Sequence, residues 1–397
     1  MPVPDASRPI RRVAILGPSP PDRGGIARET RLLADELSRR ADVGVRWLTF
    51  SRPYPRWLDP RRFDRDPALP PSAAEPLLDW ASPLSWKQTA MAVAGSAGAE
   101  ALTADGTQAL LVPWWTSFWA LPLRSVLRHV RRLSPETRRV LICHNVEEHE
   151  SGAFRRFLSI GAMTAADAFV CQSEADRALL ALRAPGRPAC VLPHPVVRTG
   201  PIAVSRGEAR ARVGVAGDGP LVLFLGLVRR YKGVDLLLDA APEIARRTGA
   251  RIAIVGEVFP DARDTMKRVS ASPVRDRLIV HDAYVPEETM ETWLAACDVV
   301  VLPYRAISGS GIAARAIAAA RPMAASAVGG LRDAVVPGAT GELFASGDAA
   351  ALAAAVQTVL ARGVDAYAPG LAEAAERHSW TRYVDALMEF LSGLGRR

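Results

Sequence analysis

The sequence has few cysteines and no long apolar run. Of its 397 residues only four are cysteine, and no C-x-x-C pair occurs, which disfavours a zinc site or a disulfide framework. We interpret Cys143, Cys171, Cys190 and Cys297 as buried small hydrophobic residues in a reducing compartment. No charge-free stretch reaches the roughly 18 apolar residues of a membrane span. The apolar run 13–16 is too short for a signal peptide, so we expect a cytoplasmic protein.

Extremes of composition are also missing. Hydrophobic residues make up 49% of the chain and charged residues 23%, ordinary values that exclude a disordered or a collagen-like protein. A chain of this length exceeds what one hydrophobic core usually organises, so two domains are expected.

The net charge of +8 is concentrated in the first half, where residues 1–200 hold 27 Lys and Arg against 20 Asp and Glu. Two clusters stand out, Arg52, Arg56, Arg61, Arg62 and Arg65 in a Pro-rich loop, and Arg124, Arg128, Arg131 and Arg132 at helical spacing. Such clusters can meet anionic lipid heads or phosphates, or can simply be the solvated face of a helix. No nucleic-acid-binding module is recognisable around them, so no nucleic-acid partner is expected.

Short apolar runs alternate with helical patterns along the chain, which predicts an α/β fold with doubly wound parallel sheets. Strands are expected at 12–17, 43–50, 109–112, 139–143, 168–171 and 190–192, and after the polar stretch 197–219 at 221–225, 251–255, 277–280 and 299–303. Helices are expected at 26–37, 234–245, 287–296 and 366–390. We place one domain at 1–198, a second at 199–375, and a closing helix at 376–397 that can pack back on the first domain.

Ligands of such sheets bind beyond the carboxyl ends of the strands, and three loops there have unusual composition. Gly24 and Gly25 open a helix whose N–H groups suit an anion, although a plain helix-entry turn explains them too. Arg229 and Lys232 suit a diphosphate, or are a charged surface loop. The run Ser308 to Gly311 is an anion cradle, or an ordinary Ser helix cap.

These loops belong to a longer series of motifs with consistent order and spacing. The series comprises Gly24-Gly25, Cys143 to Glu150, Phe169 to Glu174, Pro193-His194-Pro195, Gly226 to Asp235, Val255-Gly256-Glu257, Tyr284-Val285-Pro286, Cys297 to Tyr304, Ala320-Arg321-Pro322, Val328-Gly329-Gly330 and Gly338 to Gly341. The chain resembles glycosyltransferase family 4, the retaining GT-B type of group 1, through most of its length. GT-B implies two facing Rossmann-like domains.

The resemblance implies a retaining transfer from a nucleotide diphosphate sugar, UDP- or GDP-linked, with no metal and no tightly bound cofactor. By position, Arg229 and Lys232 would hold the diphosphate as catalytic residues. The donor would also contact Gly24, Gly25, Gly256, Glu257, Tyr284, Val285, Ser308, Gly309, Ser310 and Gly311. His144 would approach the transferred sugar, unless it is a core histidine bonded to backbone.

One departure from the family concerns two glutamates eight positions apart that usually contact the donor. Counting back from Pro322 places them at Ile307 and Arg315, neither of which is acidic. Donor choice, or activity itself, is therefore open. Asp64-Arg-Asp66 matches the D-x-D metal motif of a different glycosyltransferase fold, but it lies in a Pro- and Arg-rich loop, so we assign it no metal.

The acceptor is the least determined part. The basic first half, with Trp114, Trp115, Phe118, Trp119 and the run Phe154 to Leu158, favours a lipid-linked or cell-surface glycan intermediate of polysaccharide biosynthesis. The enzyme would then lie at the inner face of an anionic membrane as a peripheral protein. The alternatives are a transferase acting on a soluble metabolite, and a nucleotide-sugar-binding relative that has lost transfer.

Overall fold

The computed structural model describes residues 10–55, 72–95, 108–146, 153–196 and 204–394. It divides into two compact units, one made of Met1–Leu192 with Trp380–Arg397 and the other of Pro193–Ser379. Each unit has its own parallel sheet.

In the first unit, the described residues form a seven-stranded sheet in the order β3-β2-β1-β4-β5-β6-β7, with every pair parallel. The strands are β1 (Arg12–Leu16), β2 (Gly44–Arg52), β3 (Glu75–Asp79), β4 (Ala109–Trp114), β5 (Arg138–Cys143), β6 (Ala168–Cys171) and β7 (Ala189–Val191). The helices are α1 (Gly25–Ser38), α2 (Pro83–Val93), α3 (Ala120–Leu133), α4 (Ala153–Met163), α5 (Glu174–Arg183) and, from the end of the chain, α14 (Trp380–Gly393).

The strand order decides which helices share a face of this sheet. From β3 onward the chain moves in one direction across the sheet, through β4, β5, β6 and β7, whereas the step from β1 to β2 runs in the opposite direction. Because crossovers between parallel strands are right-handed, α2, α3, α4 and α5 cover one face and α1 covers the other. Helix α14 packs beside α1, where the Thr381 hydroxyl donates to Glu36 at 2.7 Å.

In the second unit, the described residues form a six-stranded parallel sheet in the order β10-β9-β8-β11-β12-β13. The strands are β8 (Leu221–Leu225), β9 (Arg251–Val255), β10 (Leu278–His281), β11 (Val299–Leu302), β12 (Met323–Ser326) and β13 (Gly341–Phe344). The helices are α6 (Arg206–Arg212), α7 (Val234–Thr248), α8 (Asp264–Ser270), α9 (Glu287–Ala296), α10 (Gly311–Ala318), α11 (Leu331–Ala334), α12 (Ala349–Arg362) and α13 (Ala368–Arg377). The doubly wound α/β architecture predicted from the sequence is confirmed.

Several details differ from the sequence prediction. The stretch read as irregular contains α6, which begins with a capping box in which Ser205 and Glu208 bond each other's backbone N–H. Strands β3, β12 and β13 were not expected, because they are short and lack a run of β-branched residues. The single helix expected at 366–390 is two helices, α13 and α14, separated at His378 and Ser379.

The core of each unit is formed by the buried strands and the inner faces of the helices. Cys143, Cys171 and Cys297 are buried in it, Cys190 is half-buried, and all four are free thiols whose pKa is raised by burial. Among the described helices none alone has the length and apolar composition to cross a bilayer. One pair, Ala349–Arg362 and Val364–Arg377, meets that test only when joined across a 95° bend.

Candidate functional site

The loop after β8 carries the two predicted diphosphate ligands. It leads from Gly226 into α7 through Gly233, whose φ of 66° lies in the left-handed region. A Cβ at Gly233 would stand 2.0 Å from the carbonyl oxygen of Pro303, so only glycine fits this close approach to the end of β11. The turn therefore holds Arg229 and Lys232 at the carboxyl edge of the sheet.

Arg229 is fixed by groups that the sequence did not reveal. Its Nε lies 2.9 Å from a carboxylate oxygen of Asp261, and its guanidinium lies 4.8 Å from the ring centre of Phe259. Burial opposes ionisation of Asp261, but the hydrogen bonds from Arg229 and from the Arg230 N–H, together with the charge of Arg229, outweigh it and lower the pKa of that carboxyl. Arg229 is thus an oriented cation whose charge is partly balanced within the loop.

Lys232 has a different environment. Its half-buried ammonium lies 5.2 Å from the ring centre of Tyr304, and it has no hydrogen bond or ion pair to any residue that the structure describes. Burial, followed by repulsion from Arg229, lowers the pKa of Lys232 to about 8. A desolvated cation without a counter-charge among the described residues is chemically suited to bind an anion.

The loop after β11 is joined to the loop after β8 by Arg305. Its guanidinium forms a bidentate pair with Asp235, with one contact at 2.8 Å, and its backbone N–H donates to Tyr231 at 2.7 Å. This pairing lowers the pKa of Asp235 against the effect of burial. The two loops therefore form one rigid edge.

The run Ser308 to Gly311 forms the N-terminus of α10. The Ser310 hydroxyl caps the helix by accepting from the Ala313 N–H at 3.2 Å, so the ordinary helix-cap interpretation of this serine is also fulfilled. The N–H groups of Gly311 and Ile312 have no partner within the described chain, and they lie at the positive end of the helix dipole. The cap and an anion-binding role are compatible here.

Backbone contacts support this run from behind. Gly330 donates its N–H to the Ser308 carbonyl at 3.1 Å, and a Cβ on Gly329 would stand 1.6 Å from the Ile307 carbonyl oxygen. The two glycines therefore allow one loop to lie directly on the other. His194 lies close to the start of α10, 3.4 Å from where a Cβ on Gly311 would stand.

The predicted base-binding residues follow β9 and β10. Gly256 has a φ of 143°, and a Cβ there would stand 2.1 Å from the Gly226 carbonyl oxygen, which fixes the loops after β8 and β9 against each other. The carbonyl of Glu257 accepts the Val228 N–H at 2.9 Å. Tyr284 is half-buried and Val285 is buried. All the predicted donor residues of this unit thus lie at the carboxyl ends of neighbouring strands.

The first unit holds the remaining predicted residues. Gly24 and Gly25 are exposed at the start of α1, whose N-terminus has no side-chain cap. His144 follows β5 and is one-tenth exposed, with its Nδ1 3.5 Å from the carboxylate of Glu29 and 3.4 Å from the amide of Gln172. Neither Glu29 nor Gln172 stands out in the sequence as a functional residue. The signal for Glu29 is an acidic residue on the buried stripe of α1, beside Thr30 and Leu33.

The two positions of the missing glutamates have ordinary surroundings. The Ile307 side chain is half-buried against the core, and the Arg315 guanidinium pairs with Glu287 of α9 at 3.3 Å. Arg315 is thus a structural cation in place of an acidic donor contact.

Other features predicted from the sequence fall outside the site. No cluster of three or more His, Cys, Asp or Glu side chains suited to a metal ion occurs within the described ranges. Asp64 and Asp66 lie outside those ranges, as do Arg56, Arg61, Arg62, Arg65 and residues 147–150. Of the aromatic group, Trp114 and Trp119 are buried in the core, where Trp119 stacks on Phe50 at 4.3 Å. These two indoles are therefore unavailable to an acceptor or a membrane.

Comparison with known proteins shows what these loops are similar to. Residues 219–362 match the family model described as Glycosyl transferases group 1. The D-inositol 3-phosphate glycosyltransferase of Frankia alni is 34% identical over 161 residues, and that of Geodermatophilus obscurus 35% identical over 191 residues. These matches cover 38% and 46% of this chain, and 40% and 42% of the relatives' own length. The matched segment thus spans less than half of each curated relative.

Solved structures with the same fold cover nearly the whole chain. Sucrose-phosphate synthase from Thermosynechococcus elongatus superposes with a TM-score of 0.69 at 19% identity, covering 96% of this chain and 98% of that one. HepE from Anabaena, in complex with UDP, gives 0.70 at 15% identity, covering 96% and 99%. Residues 219–362 thus carry the pattern of the glycosyl transferases group 1, and the chain shares the GT-B fold of these solved structures.

Proposed function

We propose that this protein is a retaining glycosyltransferase that binds a nucleotide diphosphate sugar at the carboxyl edge of its second unit. The observation that carries the proposal is the Lys232 ammonium, half-buried beside Arg229 and without a counter-charge among the described residues. Burial of such a charge without a partner lowers the stability of the empty protein, and a bound diphosphate would compensate this desolvation penalty. The unpaired N–H groups at the start of α10 supply a second anion contact in the same unit.

We infer that the donor is a UDP-sugar rather than a GDP-sugar. Support comes from the structural relative HepE, whose structures include complexes with UDP and with UDP-glucose. In this proposal Tyr284 and Val285 contact the base, and Glu257 and Gly256 complete the donor pocket. No metal or tightly bound cofactor is required, because the cations and helix dipole neutralise the diphosphate.

The proposed chemistry is electrostatic. Arg229 and Lys232 stabilise the negative charge that develops on the departing diphosphate while the sugar becomes oxocarbenium-like. The acceptor hydroxyl then attacks from the face that the diphosphate leaves, so the anomeric configuration is retained. In the first unit Glu29 orients the His144 imidazole through Nδ1, and we propose that this imidazole contacts a hydroxyl of the transferred sugar. We propose that Gly24 and Gly25, at the start of α1, also contribute to donor binding.

For the acceptor we propose a lipid-linked or cell-surface glycan intermediate of polysaccharide biosynthesis. A second candidate is a soluble phosphorylated polyol, because the relatives that match this chain are named D-inositol 3-phosphate glycosyltransferases. A phosphorylated polyol would also suit the basic character of the first unit. A nucleotide-sugar-binding protein without transfer is the third candidate, since Ile307 and Arg315 stand where donor-contacting glutamates are common.

Titration of the purified chain with UDP, GDP and ADP, without metal, tests the donor assignment by calorimetry. We expect UDP to bind more tightly than GDP or ADP, and Lys232→Ala to weaken binding by about tenfold or more, the worth of one charge-assisted hydrogen bond. Lys267→Ala is the matched control, because Lys267 is highly exposed on α8 and makes only a 3.6 Å surface pair with Asp264. Equal affinity of wild type and Lys232→Ala would contradict the diphosphate site.

Release of UDP in the presence of acceptor separates the three candidates. Turnover with membrane lipid extract but not with inositol phosphates supports the lipid-linked acceptor, and the reverse result supports the soluble polyol. Tight UDP-sugar binding with no UDP release across both acceptor panels supports the binding protein. Analysis of the product's anomeric configuration tests retention independently.

A further inference from the structure

Three neighbouring helices of the first unit share an unusual composition. Helices α2, α3 and α4 contain no Asp or Glu at all, yet together they carry Lys87, Arg124, Arg128, Arg131, Arg132, Arg155 and Arg156. Most helical segments of soluble proteins mix both signs of charge. In this chain α5 and α7, for example, carry Asp and Glu among their cations. Helices α10 and α12 also lack carboxylates, but each carries a single arginine. What distinguishes α2, α3 and α4 is that several cations stand on adjacent helices without any carboxylate.

These helices form one continuous layer. They cover the same face of the sheet by the handedness of their crossovers, and α3 lies between α2 and α4. The contact between α3 and α4 is close at Gly161, where a Cβ would stand 3.2 Å from a guanidinium nitrogen of Arg124. Their charges therefore add up on a single surface, which we call the basic face.

Four cations of the basic face have no compensating partner among the described residues. Lys87, Arg128, Arg131 and Arg132 are exposed, and none of them forms an ion pair within the part of the chain that the structure describes. By contrast, exposed arginines of the second unit are commonly paired, as Arg246 is with Glu243 at 2.7 Å. The field of the basic face is thus open to an external anionic partner.

The same face exposes large apolar side chains. Phe157 on α4 is 70% exposed, Leu84 on α2 is 66% exposed and Leu121 on α3 is 53% exposed. Leu84 and Leu121 stand in the first turns of their helices, which begin at the carboxyl edge of the sheet, the edge where His144 follows β5. An apolar rim thus borders the cations on the side nearest to His144.

We propose that the basic face docks this enzyme on an anionic lipid bilayer, with Phe157, Leu84 and Leu121 inserted among the headgroups and the arginines of α3 lying against lipid phosphates. An anionic membrane surface binds both cations and exposed apolar side chains, whereas binding to a nucleic acid depends mainly on the cations. Docking at this edge places His144, which follows β5, on the side of the first unit that faces the bilayer. The inference does not depend on the donor chemistry, since it concerns a surface rather than the diphosphate site.

Sedimentation of the full chain with vesicles tests this assignment. We compare phosphatidylcholine vesicles with vesicles containing 30% phosphatidylglycerol, at about 0.1 M salt and without nucleotide. We expect binding to the anionic vesicles only, a loss of tenfold or more in Arg128→Glu/Arg132→Glu, and a severalfold loss in Phe157→Ser. The matched control is Arg212→Glu/Lys267→Glu, which makes the same change of charge on exposed positions of the second unit and should bind like wild type.

Three results would overturn the proposal. The first is no sedimentation of wild type with anionic vesicles. The second is an equal loss in the control pair, which would mean that net charge alone drives the association. The third is unchanged binding in Phe157→Ser together with tighter binding to duplex DNA than to vesicles, which would identify a polyanion surface. Calorimetric UDP binding by the same preparations is measured in parallel, so failure of docking and failure of the donor site are distinguished.

Discussion

Replacing Lys232 by methionine should make the empty protein more stable and the nucleotide complex weaker. Methionine keeps the length and most of the apolar contacts of the lysine stem but removes the charge. In the native protein the Lys232 pKa is lowered from 10.5 to about 8, because burial and Arg229 disfavour the cation. Below pH 8 that difference corresponds to a penalty of about 3 kcal/mol that the unfolded chain does not have.

The net gain is smaller than this penalty. Loss of the contact between the ammonium and the Tyr304 ring costs about 0.5–2 kcal/mol, so Lys232→Met should gain about 1–2 kcal/mol near pH 7. For a unit of this size the melting temperature then rises by roughly 2–8 °C. Between pH 8 and 10.5 the native lysine releases a proton that the unfolded chain retains, so wild-type stability rises with pH and the advantage of the variant disappears.

Thermal melts at pH 7 and pH 10, with and without UDP, measure both effects. At a UDP concentration a hundredfold above the wild-type Kd, wild type gains about 2.7 kcal/mol, whereas a variant that binds tenfold more weakly gains about 1.4 kcal/mol, so the stability advantage of the variant should shrink by about 1.3 kcal/mol. Lys267→Met is the control and should change neither quantity. A variant that melts below wild type in the absence of UDP, with the gap unchanged between the two pH values, would refute the reasoning.

Three further outcomes follow from the structure. Gly233→Ala should lower the free energy of unfolding of the second unit by about 3 kcal/mol or more in urea titration, since the new Cβ would stand 2.0 Å from the Pro303 carbonyl oxygen. The control is Gly217→Ala, which is also at positive φ but in open space and should lower that free energy by only about 1 kcal/mol. Ala320→Gly should stabilise the unit by about 0.5–1 kcal/mol, because Ala320 is held at a φ of 51°; a loss of stability would contradict this. Glu29→Gln should lower kcat about tenfold or more, and the KM for the donor should stay within twofold of the wild-type value, since the change disturbs His144 and not the diphosphate site. A rise in KM at constant kcat would contradict the orienting role of Glu29.

Much of the fold could be predicted because its signals are local. Runs such as β8 and β9 are apolar on both faces, as strands buried between two layers of helices must be, and glycine-rich loops follow them. The repeated alternation of such strands with helices leaves few topologies besides the doubly wound sheet. Strands β12 and β13 could not be predicted from the sequence. A segment such as Met323–Ser326 has little intrinsic β-propensity and forms a strand because it pairs with neighbouring strands of the sheet.

The sequence by itself determined which residue types stand after each strand, and so the candidate donor loops of the second unit. It also determined the charge of α2 to α4, because the lack of carboxylates is a matter of composition. What only the tertiary structure decided is which charges have partners. Asp261 lies 32 residues from Arg229, and Glu29 lies 115 residues from His144, yet each pair is in contact. Arg229 has a carboxylate partner, whereas Lys232 has none among the described residues. This difference depends on side chains that strands distant in sequence bring to the same edge of the sheet, and no local sequence pattern predicts which side chains will be in contact there.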